Sequence, residues 1–101
     1  MTVVAEWLER HTASAPLPLR ARVLDHALAT PVADTLPAVL AGAGREALEQ
    51  VVQHPGDRSV ALDLLAADAL ITLALLAQAQ DAPAELGAFA ASILRDVRPG
   101  P

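Results

Sequence analysis

The chain has 101 residues, 53% of them hydrophobic but only 2% aromatic, and a formal charge of −5 with seven arginines and no lysine. That balance excludes the basic, aromatic-bearing surface of a nucleic-acid binder and disfavours an anionic membrane surface. The absence of cysteine excludes disulfides, thiol catalysis and thiolate metal sites.

The apolar residues are chiefly alanine and leucine, the strongest helix formers, so the expected class is all-α. The length suits one helical domain, over residues 1–97, with 98–101 as a flexible tail. A first helix is expected from about Val3 to Ala13 with Thr2 as N-cap, its stripe formed by Val4, Trp7, Leu8 and His11. Pro16 and Pro18 end it and open a second, about Leu19 to Ala29. There Val23, Leu24, Ala27 and Leu28 face inward, and Arg20, Arg22, Asp25 and His26 face solvent. Thr30-Pro31 breaks the chain. Asp34 or Thr35 then caps a third helix with Pro37 in its first turn and Leu36, Val39, Leu40 and Ala43 inside. Gly42 and Gly44 are expected to interrupt it, leaving a separate fourth helix, about Arg45 to Gln53. The sequence His54-Pro55-Gly56-Asp57 is a turn, with Asp57 capping a long helix over about 58–80. Asp81-Ala82-Pro83 stops that helix, and a last one, about Ala84 to Asp96, turns Leu86, Phe89, Ala90, Ile93 and Leu94 inward. The expected architecture is a compact bundle of five or six short helices around the 58–80 helix.

The segment Val60–Gln80 is apolar on nearly every side, and such a helix in a small soluble protein must be wrapped by the rest of the chain or by a second copy. Its charge-free part, Ala69–Gln80, is shorter than the roughly 18 residues a membrane span wants. Glu6 and Glu9 stand where a secretory leader has basic residues, so a soluble cytoplasmic protein is expected. Helices of about ten residues are short cover for an apolar helix of about 30 Å, which makes a homodimer the simplest arrangement.

Asp63 lies in the first turns of its helix, where the dipole favours negative charge. Asp68 has no such local reason. It shares a face with Thr72, four residues on, and the two are the candidate buried polar site: either Asp68 meets an arginine or a helix N-terminus, or the pair lines a pocket for an apolar ligand. Trp7 either fills the core or anchors an interface, with Leu8 and Phe89 as further interface candidates.

The string Ala67-Asp68-Ala69-Leu70-Ile71-Thr72-Leu73-Ala74 resembles a core helix of polyprenyl synthases over about eight residues. That family's aspartate-rich motif, which holds diphosphate through magnesium, has no counterpart, since no two acids are adjacent; the activity is therefore not carried over. His11, His26 and His54 fall on different elements without metal-ligand spacing. No GxSxG elbow, phosphate-binding glycine loop or Asp-Ser-Leu carrier site is present. No catalytic, cofactor or metal residue is assigned. The expected role is non-enzymatic association with a second copy or another protein, the alternative being apolar-ligand binding beside the central helix.

Overall fold

The structure, a computed structural model, describes residues 3–31 and 35–97. Within them the protein is an all-α bundle: α1 (Val3–His11), α2 (Leu17–Ala29), α3 (Leu36–Gln53), α4 (Arg58–Asp81), a 3-10 turn (Pro83–Glu85) and α5 (Leu86–Val97). The Cα radius of gyration is 13.1 Å, about the 13 Å of a compact domain of this length. Its shortest dimension, 22 Å, is two helix diameters, so the bundle is two layers thick. Thr2 and Asp34, the other candidate caps, and the expected tail lie outside the described residues.

Local chemistry sets the helix ends. Proline disfavours helical geometry in the residue before it, and Thr30, preceding Pro31, is extended at φ −79°, ψ 136°. Thr35 caps α3 by accepting from the Ala38 N–H, with Pro37 in the first turn. Asp57 caps α4 by accepting from both the N–H and the hydroxyl of Ser59. Those bonds hold the exposed Asp57 carboxyl below its ordinary value. Gly56 takes a left-handed φ of 87°, closing the turn between α3 and α4.

One boundary differs from expectation. Helix α3 runs unbroken through Gly42 and Gly44. Glycine weakens a helix by about 1 kcal/mol, but here it allows a close crossing. A Cβ on Gly44 would lie 2.8 Å from Ile71 Cγ1 and 3.4 Å from the Ala67 carbonyl oxygen. The α3–α4 hairpin is the most extensive helix contact in the fold. Ala43, Ala47, Ala66, Ala67 and Ala74 are fully buried along these helices, and small side chains let the two backbones approach closely.

The second difference concerns α4. It is not wrapped. Asp63, Ala66, Ala67, Leu70, Ala74 and Ala77 are buried on one face, while Leu64, Leu65 and Leu76 on the other are 49%, 55% and 41% exposed. The helix has also grown to 24 residues, and its best 18-residue window has a mean hydropathy of 2.1. By length and composition alone it meets the test for a membrane-crossing helix, contrary to the shorter charge-free run read from the sequence. The core helix of a globular protein passes the same test, and α2, α3 and α5 all pack on α4.

The core is built by Leu8, Val23, Leu40 and Leu70, with Trp7 and Ala27 beside them. Trp7 and Leu8 are therefore core residues, 6% and 2% exposed: of the two alternatives for Trp7 the core one holds, and neither residue is open to serve as an interface anchor. Both lie on the inward stripe of α1, which buries them against the other helices. Phe89 is half-buried and packs against the edge of the core.

Candidate functional site

The one buried charge among the described residues is Asp63. It sits in the second turn of α4, on the face that meets α2. Arg22 and His26 are four residues apart on α2, so both project toward the same place. Arg22 Nη1 donates to Asp63 Oδ1 at 2.6 Å, and His26 Nε2 approaches the same oxygen at 2.9 Å. An ionised carboxylate only accepts, so His26 Nε2 carries a proton here. Burial raises the Asp63 pKa, but the Arg22 and His26 hydrogen bonds outweigh it, and the carboxyl is held below its ordinary value.

This cluster corrects three expectations. Asp63 needs more than the helix dipole, because its side chain is only 11% exposed. His26 is not solvent-facing; its side chain is 10% exposed. Arg22, at 31%, lies at the edge of the buried face with its guanidinium turned to α4. The available signal was the four-residue spacing of two donors beside the apolar stripe of α2. What the cluster does chemically is fix the rotation and register of α2 on α4.

A second polar connection ties α1 to the far end of α4. Trp7 Nε1 donates to Gln80 Oε1 at 3.3 Å. The His11 ring stacks on Trp7 at 3.9 Å, tilted by 16°. His11 Nδ1 donates to the Trp7 carbonyl at 2.8 Å, which leaves Nε2 to accept from Gln80 Nε2 at 3.4 Å. His11 thus packs along the stripe of α1, stacked on Trp7.

Asp68 and Thr72 lie on the opposite side of α4. Both are exposed, which corrects the expectation of a buried polar site. Neither side chain has a hydrogen-bond or ion-pair partner among the described residues. The physical reason is rotational: Asp63 and Asp68 are five residues apart, about 140° around the helix, so burial of the first turns the second outward. Leu64 and Leu65 precede this pair and Leu76 follows it, all exposed; Leu75 is half-buried. The outward face is an apolar surface with one acceptor and one hydroxyl at its middle.

Two surface grooves among the described residues lie elsewhere. One of 190 Å³ runs between α3 and α5, lined by Gly42, Arg45, Phe89 and Ser92 among others. A shallower one of 460 Å³ is lined by Trp7, Leu36, Ala77 and Gln80. Neither includes Asp68 or Thr72.

Three other hydroxyl groups are engaged locally: Thr12 and Thr30 donate to carbonyls four residues back, and Ser92 to the Phe89 carbonyl. No group of three or more His, Cys, Asp or Glu among the described residues is placed to hold a metal ion. Comparison of the chain with protein families, curated proteins and solved structures returns no match.

Proposed function

We propose that this protein is a non-enzymatic association module that pairs with a second copy of itself through the outer face of α4. The observation that carries this reading is the exposure of Leu64, Leu65 and Leu76 on one face of α4, the longest helix among the described residues. Fully burying a leucine side chain is worth about 1.5–3 kcal/mol. Half-exposed leucines from two faces therefore supply on the order of 5–9 kcal/mol, much of it offset by lost translational and rotational freedom. A weak affinity follows, with a dissociation constant on the order of 1 mM.

The test is Leu65→Glu. Residue 65 is more than half exposed within one protomer, so the variant keeps the helical circular dichroism of the parent. It is expected to weaken self-association at least about tenfold, read by sedimentation equilibrium, because a carboxylate desolvated in an apolar interface costs more than about 1.4 kcal/mol. Unchanged association in Leu65→Glu would overturn the assignment of this face.

A further inference from the structure

We infer that the two copies pair α4 antiparallel, about a two-fold axis level with Leu70, with the Asp68 carboxylate of each protomer accepting from the Thr72 hydroxyl of the other. This rests on the self-association proposed above and specifies its geometry. Along the outer face, Ala61, Leu65, Asp68, Thr72, Leu75 and Ala79 follow one another at alternating steps of four and three residues, the spacing of a helix-pairing seam. The same six are symmetric about position 70. Reversing one helix on the other places Ala61 opposite Ala79, Leu65 opposite Leu75, and Asp68 opposite Thr72. Leu64 and Leu76 flank the seam, one on each side.

The pattern is self-complementary chemically as well as in spacing. Alanines meet at both ends, where they let the helices close in. Leucines meet next to them. At the centre the one acidic group, which only accepts, meets a hydroxyl, which donates. A parallel pairing would instead place Asp68 against Asp68, a like-charge contact. A lipid surface is a poorer occupant, because it would have to desolvate Asp68 without supplying a donor. The Asp68 and Thr72 side chains, without partners among the described residues, are those the pairing satisfies.

Because the chain has no cysteine, engineered thiols read the register directly. Under mild oxidation the double variant Ala61→Cys/Ala79→Cys is expected to form a covalent dimer, whereas each single variant stays uncrosslinked. Within one helix the two positions are about 27 Å apart, far beyond the reach of a disulfide. A second readout is the exchange of the central pair. Thr72→Asp alone is expected to weaken association about tenfold by opposing two carboxylates. Adding Asp68→Thr restores it to within about threefold, since the carboxylate and the hydroxyl have then traded places and again face one another across the axis.

Efficient crosslinking of Ala61→Cys alone would overturn the antiparallel register while leaving self-association standing. So would a double variant that fails to crosslink while the parent chain sediments as a dimer. A parent chain that is monomeric, and that co-sediments with phosphatidylcholine vesicles, would overturn both readings and assign the face to lipid.

Discussion

Two donors converge on a single oxygen of Asp63, and that convergence decides how α2 sits on α4. Folding lowers the Asp63 pKa from its ordinary 3.8, so the ionised cluster stabilises the fold fully above the unfolded value and loses its contribution as pH falls through the folded one. Stability is therefore expected to drop below about pH 4, with the capping Asp57 acting in the same direction. Asp63→Asn should destabilise the protein by about 1–2 kcal/mol at neutral pH, a figure moderated by the partial exposure of Arg22. It should also flatten the acid limb of the stability curve, as followed by urea unfolding at several pH values; an unchanged acid limb would remove the cluster from the account. The sequence points to the other acid. Asp63 has a sufficient local reason there and Asp68 none, because a helix apolar on nearly every side conceals which face turns inward. The discriminating signal lies in residue size: Ala66, Ala67, Ala74 and Ala77 fall on the buried side and Leu64, Leu65 and Leu76 on the open one.

At the level of elements, the α3–α4 hairpin shows why a breaker in sequence is not always one in structure. Gly42 and Gly44 differ only in what they face. An added methyl at Gly42 meets Thr30 Cγ2 at 3.5 Å, an ordinary contact, whereas at Gly44 it would press on Ile71 at 2.8 Å. Gly42→Ala is expected to stabilise the fold by about 0.5–1 kcal/mol through helix propensity. Gly44→Ala should destabilise it by about 1–2 kcal/mol, since Ile71 is β-branched and has little freedom to retreat. Thermal unfolding of the two variants reads both signs, and equal effects would argue against the close crossing. Helix ends fixed by local chemistry are legible in advance: the Thr30-Pro31 stop, the Thr35 cap and the Gly56-Asp57 turn all depend on neighbours in sequence. The continuity of α3 is not, because it depends on Ile71, which lies far from Gly44 in sequence, on the next helix.

For the whole molecule, composition alone settles the all-α class, since so few aromatic and so many alanine and leucine residues leave strands little to be built from. What composition does not supply is the layering. Two layers of helices 22 Å deep leave α4 covered on one side, with Asp63 tied to α2 beneath and Leu65, Asp68 and Thr72 presented above. The second copy proposed above would dock on this upper face, while Trp7 and Leu8, interface candidates in the sequence, are occupied in holding α1 to the core. The most direct test is the solution mass of the unmodified chain, measured by light scattering at about 1 mM, near the expected dissociation constant. Association through α4 predicts a weight-average mass about one and a half times the 10.5 kDa of the chain, falling toward the single-chain value on dilution. A mass of 10.5 kDa that stays constant with concentration would contradict it.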